Sequence, residues 1–221
     1  MTDKTEPDMT PAERRFDTIY RDLRRKIVLL DYGPGDKLDL AELEQHYDVS
    51  RTPLRRVLQK LCDDGLVRAR HGVPTTVRPV DLDQLRPAFL FRMGLAEQIG
   101  ALDPCPPSPE ALNRLRAFLD RGAFGDLDAR SFGEIDLEVH EIICTLIGNP
   151  WLHVTYDRMF HITARLWQLH LDDLNIAREA AAFEEDCRAI FEALNRGDVA
   201  AIGYIIRNAL SGMLFRLHGV I

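Results

Sequence analysis

Long apolar runs are missing from this chain of 221 residues. None approaches the ~18 residues that a membrane helix needs, so no membrane partner is expected. The opening stretch, MTDKTEPDMTPAERR, has no apolar core of the secretory kind, which predicts no signal peptide. Cysteine is scarce. Cys62, Cys105, Cys144 and Cys187 stand far apart with no Cys-x-x-Cys pair. That spacing argues against a disulfide framework or a zinc knuckle, and for reduced thiols in a cytoplasmic protein. Positive charge is short as well: 28 Lys and Arg face 35 Asp and Glu, for a net charge of −7. Beyond residue 80 there is no clear strand-like run, and no pairing of a catalytic acid with a nucleophile. A chain that is 46% hydrophobic and 29% charged is otherwise an ordinary folded protein, long enough for one large or two small domains.

The charge that is present is placed unevenly. Residues 1–80 carry 15 Lys and Arg against 14 Asp and Glu, and residues 50–78 carry seven against two. A local basic stripe of this kind suits contact with phosphates even when the total charge is negative.

Residues 1–9 read as a loose tail. Thr10 and Pro11 suit a helix start, and Phe16, Ile19, Tyr20, Leu23, Ile27 and Leu30 recur at helical spacing, predicting a helix over 11–30. DYGPGD breaks it. KLDL reads as a very short strand leading to a cap at Asp39, and residues 40–47 as a short helix. Ser50 is expected to cap the next helix, which turns Leu54, Val57, Leu58 and Leu61 inward and ends near Asp64-Gly65. LVRAR and TTVRPV alternate around HGVP, predicting a β-hairpin. Helix, helix, tight turn, helix and hairpin make a winged helix-turn-helix over residues 10–79. In that geometry the second helix of the pair enters the major groove and the hairpin reaches the neighbouring minor groove or backbone. The exposed side of the reading helix then carries Ser50, Arg51, Thr52, Arg55, Arg56 and Gln59. Arginine reads guanine bidentately, while hydroxyls and helix-end amides hold phosphates. A solvated basic face is the plain alternative. The turn, the hairpin and the charge concentration together favour double-stranded DNA.

LRRKIVLLDYGPGDKL, DVSRTPLRRVLQKLCDDGLV and RHGVPTTV resemble the GntR family of bacterial transcription regulators, in order, spacing and turn residues. The wing is similar to that of the FadR subfamily. The resemblance implies DNA contacts at Ser50, Arg51, Thr52 and Arg55, and at His71 and Gly72 of the wing. Three positions depart from the family. Arg56 replaces a usual acid and is expected to add a phosphate contact. Ala41 replaces a charged residue, and Val73 a basic wing residue. The operator sequence therefore does not carry over from a relative.

Residues 80–221 read as six helices, over 81–101, 108–119, 128–147, 150–172, 175–195 and 198–218. Phe183, Cys187, Ile190, Phe191 and Leu194 form one apolar stripe, and Ile202, Ile206, Ala209 and Met213 another. RMGL, DLEVHEIICTLIGNPWL, EDCRAIFEALNRGD and IIRNAL resemble motifs of the FCD effector-binding domain. The fold class expected is therefore mainly α: a winged helix-turn-helix followed by an all-helical, FCD-like bundle that binds an effector and makes a homodimer.

Asp136 and His140 are four apart and share a helix face. In the metal-binding branch of the family, such a pair joins two histidines, whose positions map here to Cys187 and Asn208. Asp136, His140 and Cys187 leave a divalent metal such as zinc open, although Asn208 is a poor ligand. The other reading is a buried hydrogen-bonded pair with Cys187 as core filler. Arg92 stands in an apolar helix, FLFRMGLAEQIG, and the resemblance implies that it holds an acidic effector. A buried guanidinium suits a carboxylate. An internal salt bridge to Glu97 or Asp136 is its alternative. His161 and Arg165, with Trp167 near, are candidates for the same cavity, so the effector set is Arg92, His140 and Arg165. The function expected is a repressor whose operator binding responds to a small carboxylate. A constitutive dimeric DNA-binding module and, further off, a metal-dependent enzyme are the alternatives.

Overall fold

The computed structural model describes residues 9–70, 73–120, 122, 124 and 127–218. The chain divides into two compact units, one ending at Pro79 and the other beginning at Val80.

The first unit holds α1 (Pro11–Val28), α2 (Leu40–Tyr47), α3 (Arg51–Asp63) and a hairpin of β1 (Val67–Arg70) and β2 (Val73–Val77). A capping box starts α1. Thr10 Oγ1 accepts the Glu13 amide at 3.2 Å, and the Glu13 carboxylate accepts the Thr10 amide at 2.8 Å. Pro11 costs nothing there, because the first helical amide has no partner within the helix. The helix stops short of the expected Leu30, which takes a positive φ of 63°. Asp39 caps α2 through the amides of Ala41 and Glu42. Ser50 differs from expectation: it occupies the N-cap position of α3, but its side chain makes no cap hydrogen bond. The KLDL segment forms a single bridge, Lys37 to Thr76, in place of a strand. The hairpin is antiparallel, with Val67 opposite Val77 and an irregularity between Arg68 and Arg70. Ile19, Leu23 and Ile27 of α1, Leu43 of α2, and Leu54, Val57, Leu58 and Leu61 of α3 close on one another as the core. Asp64 locks α1 to the end of α3, accepting from Tyr20 Oη and Lys60 Nζ, both at 2.6 Å.

The second unit is a bundle of α4 (Leu82–Glu97), α5 (Pro109–Asp120), α6 (Ala129–Cys144), α7 (Pro150–His170), α8 (Ile176–Asn195) and α9 (Val199–His218). Asp81, Asp128, Asn149 and Asn175 cap α4, α6, α7 and α8, each accepting first-turn amides. Each of these starts therefore has a local cause in the sequence. The helix α4 packs on α7 and α9, α8 on α9 and α5, and α6 on α7. Gly203 lets α9 touch the backbone of α4, since a Cβ there would lie 2.3 Å from the Ala96 carbonyl oxygen. The fold class is mainly α, with a two-stranded wing and a helical bundle. All four cysteines are free. No helix among the described residues is long and apolar enough to cross a membrane.

Candidate functional site

The buried stripe of α3 turns the opposite side of that helix outward. Arg51, Thr52, Arg55, Arg56 and Gln59 are exposed there, and Ser50 precedes them. Arg55 makes no ion pair or hydrogen bond among the described residues. Arg51 Nε lies 3.0 Å from Glu44 Oε2 in a pair open to solvent, worth little against a competing phosphate. Arg56 leans back onto α1, 5.6 Å above the Phe16 ring. Gln59 donates to Asp63 Oδ1 at 2.9 Å. On the wing, Arg68 Nε donates to Thr76 Oγ1 at 3.1 Å. His71 and Gly72 lie outside the described residues. This face can offer a free guanidinium to base edges, and hydroxyls and amides to phosphates.

The second unit encloses a cavity of about 80 Å³ walled by α4, α6, α7, α8 and α9. At roughly 10–15 Å³ for each water-sized position, that is room for a small molecule of a few non-hydrogen atoms. Arg92 enters from α4, 7% exposed. Its Nη1 donates to Thr163 Oγ1 at 3.0 Å, and its guanidinium lies 4.7 Å above Phe160 and 5.6 Å above Tyr156. The expected partner Glu97 is instead 3.0 Å from Arg207. Asp136 acts on Arg92 only through space. Among the described residues, three buried polar atoms of the cavity wall have no hydrogen-bond partner within 3.5 Å: Arg92 Nε, Trp167 Nε1 and the Tyr156 hydroxyl, which lies beside the Arg92 guanidinium. Two of them can only donate, and the hydroxyl can donate as well. Burial pushes the Tyr156 phenol up, so it keeps its proton.

The same wall carries acids. Burial pushes Asp136 up to about 6 against the pull of Arg92, and Asp186 up to about 6 against the pull of Arg216. Glu179 is held by Arg216, whose Nε lies 2.8 and 2.9 Å from the two carboxylate oxygens. The cavity thus offers donors around Arg92 and acceptors at Asp136 and Asp186.

Among the expected cavity residues, Arg92 and His140 line the wall. Arg165 is 2% exposed but lies off it, as does His161. The reason is helical phase: Phe160, Ala164 and Trp167 form the α7 stripe that faces the cavity, and Arg165 is about 100° round from Ala164. The donor Tyr156 and the acids Asp186 and Glu179 were not among the expected site residues, and Trp167 was expected only as a neighbour of His161 and Arg165.

The implied metal positions do not come together. Asp136 and His140 share the cavity wall, but Cys187 is fully buried outside it. Burial, with Asp136 and Asp186 adding to it, pushes the Cys187 thiol up. Asn208 is exposed and accepts from Arg207 Nη1 at 3.1 Å. The α9 residue that faces the cavity is Ala209, one position on. Those four residues therefore do not form a donor set for a divalent metal. His140 has other neighbours. Its Nε2 lies 3.0 Å from Asp157 Oδ1 and 3.3 Å from Cys144 Sγ.

Comparison with known proteins bears on both units. Residues 16–77 match the family described as bacterial regulatory proteins, gntR family. Residues 91–212 match the FCD domain. The chain is 33% identical over 185 residues to an uncharacterized HTH-type transcriptional regulator in an unstable DNA locus of Streptomyces ambofaciens, covering 82% of this chain and 75% of that one. It is 26% identical over 204 residues to the HTH-type transcriptional repressor RspR of Escherichia coli K12, covering 89% and 86%. Among solved structures, McbR/YncC of E. coli superposes with a TM-score of 0.78 at 18% identity, over 95% of this chain and 100% of that one. That last likeness is one of fold.

Proposed function

The chain belongs to the gntR family of bacterial regulatory proteins, with an FCD domain behind its winged helix, and from that premise we propose a repressor released from its operator by a small organic acid. The observation that carries the acid is the cluster of unpartnered donors on the cavity wall, Arg92 Nε, Tyr156 Oη and Trp167 Nε1. A buried donor without an acceptor costs about 1–3 kcal/mol, and more when it is charged. A carboxylate placed against the guanidinium removes that cost at several atoms together. Asp136 and Asp186 suit an acid that also bears hydroxyl or amino donors. The repressor role rests on likeness to RspR, itself described as a repressor.

The DNA-facing part of the proposal assigns Arg55 to a base, Arg51, Ser50 and Thr52 to phosphate and base positions at the start of α3, and the wing with His71 and Gly72 to the adjoining groove. Arg56 serves a flanking phosphate at most, because it leans on Phe16. Two reading heads of a homodimer in the cytoplasm would meet a two-fold symmetric site. The exposed Trp151 and Val154 of α7 and Leu90 and Phe91 of α4 supply apolar surface for such a dimer.

The test begins with genomic fragments selected by the purified protein and sequenced for a shared motif. Operator binding is then titrated with organic acids of increasing size. An acid releases DNA only if it binds one arrangement of the dimer better than the other. A palindromic motif and an acid that weakens binding at least tenfold are expected. A motif with no response to any acid would leave a constitutive DNA-binding module and sink the effector half of the proposal.

A further inference from the structure

Beyond the acid site, α6 and α7 bring together a donor set that was not foreseen. His140, Cys144 and Asp157 place one imidazole nitrogen, one thiol sulfur and one carboxylate oxygen within 4.8 Å of one another. We propose that these three residues bind a zinc-class divalent ion that joins α6 to α7 beside the cavity. The set differs from the one the family resemblance implied, sharing only His140.

The geometry supports a metal directly. Zinc bonds of about 2.0–2.1 Å to nitrogen and oxygen and about 2.3 Å to sulfur, at tetrahedral angles, set ligand atoms roughly 3.3–3.6 Å apart. His140 Nε2 is 3.3 Å from Cys144 Sγ and 3.0 Å from Asp157 Oδ1. Those two edges need shifts of no more than a few tenths of an ångström, and the edge between Cys144 and Asp157 lies within 4.8 Å, so drawing it in completes three corners of a tetrahedron and leaves the fourth for water or another ligand. Thiolate with imidazole also suits zinc better than calcium or magnesium. The ion would take the lone pairs of Nε2 and sulfur; the Cys144 thiol proton would pass to solvent, and the neutral imidazole would keep its one proton on Nδ1.

The surroundings orient the ligands. His140 stacks flat on Phe160, ring centroids 3.6 Å apart, which fixes the imidazole plane. His161 donates Nδ1–H to the Asp157 carbonyl at 2.7 Å and lies 3.4 Å from its carboxylate. A residue that holds a ligating carboxylate in this way is a usual companion of a metal site. Cys144 and Asp157 are partly exposed, so an entry path exists, while His140 is 3% exposed. His140 and Phe160 also belong to the cavity wall, so an ion here would stiffen the side of the cavity that faces Arg92.

The experiment uses the full chain, stripped with chelator and titrated with Zn²⁺ alone and then Co²⁺ alone. One ion per chain is expected, with a thiolate-to-cobalt charge-transfer band. Cys144→Ser should abolish that band and weaken zinc binding by more than about 100-fold, and Asp157→Asn should weaken it similarly. His161→Gln, which alters the support of Asp157 and the ring packed edge-on to His140, should cost roughly 10–100-fold. Cys187→Ala should keep the band. Circular dichroism of each variant confirms that it folds. Failure of the wild-type protein to bind Zn²⁺, or Co²⁺ binding without a thiolate band, overturns the proposal without any variant. Loss of the band in Cys187→Ala, with Cys144→Ser retaining it, would overturn it in favour of the other set.

Discussion

Arg92 is the residue whose replacement separates a binding role from a structural one. Among the described residues its guanidinium donates to the Thr163 hydroxyl at 3.0 Å, lies beside the Tyr156 hydroxyl and faces two aromatic rings. No carboxylate among the described residues pairs with it directly. Burying an unpaired cation costs several kcal/mol, of which a neutral hydrogen bond and ring contacts return about 2–3 kcal/mol. Arg92→Met keeps most of the length and apolar volume and removes the charge. Thr163 keeps its bond to the Met159 carbonyl at 2.8 Å, so no polar atom is stranded. The variant should therefore be more stable by about 1–2 kcal/mol, raising Tm by roughly 2–8 °C. The gain should be clearest at pH 5, where Asp136, pushed up to about 6, is mostly protonated and no longer gains from Arg92. Acid binding should fall in the same variant by about 1.5–3 kcal/mol, or roughly 10–150-fold in Kd. Calorimetric unfolding without acid and isothermal titration with it measure the two effects. A destabilised variant that still binds acid within twofold of wild type would refute the reasoning and make Arg92 a structural residue.

On the reading helix, Arg55→Ala should weaken operator binding by about 1–3 kcal/mol and relax base preference at one position, measured by competition with single-base variants of the site. Uniform weakening on every sequence would reassign Arg55 to phosphate. Burial lifts Asp136 and Asp186 from 3.8 to about 6, so between about pH 4 and 6 the folded state keeps protons that the unfolded chain has released. Stability should accordingly fall as pH rises through that window, by up to about 3 kcal/mol for Asp136 and by less for Asp186, which solvent partly screens. Asp136→Asn should flatten its share of the slope and be more stable than wild type at pH 7 in denaturant titrations; an unchanged slope would count against the buried carboxylate. Gly203→Ala should lose about 1–3 kcal/mol, because the added methyl meets the Ala96 carbonyl oxygen at 2.3 Å. Its Tm should drop without any direct loss of DNA contacts.

What the sequence disclosed, and what it withheld, divides along the range of the forces involved. Caps and helical stripes are local. Thr10 with Glu13, Asp39, and Asn149 before Pro150 mark helix starts because side chain and amide lie within three residues of each other. Helix ends were less legible. The α6 pattern remains apolar through Ile147, yet the helix closes at Cys144, as Ile147 pairs across with Pro104. The reading face of α3 was visible because its buried stripe determines what the other side shows. Of the cavity wall, Arg92 and His140 were legible, Arg92 as a lone cation in an apolar helix. Tyr156 and Trp167 look like ordinary core aromatics until the crossing of α7 with its neighbours leaves their polar atoms without acceptors.

The metal positions show the sharper limit. One residue of register is about 100° on a helix, so an assignment made at Asn208 points to solvent, while Ala209 faces the cavity. Cys144 carried a faint signal, four residues beyond His140 as His140 is four beyond Asp136. Asp157 carried none, because its approach to His140 depends on how α6 crosses α7. Only that crossing tells which side of His140 has ligands. The zinc titration of Cys144→Ser against Cys187→Ala thus asks a question that spacing along the chain cannot answer.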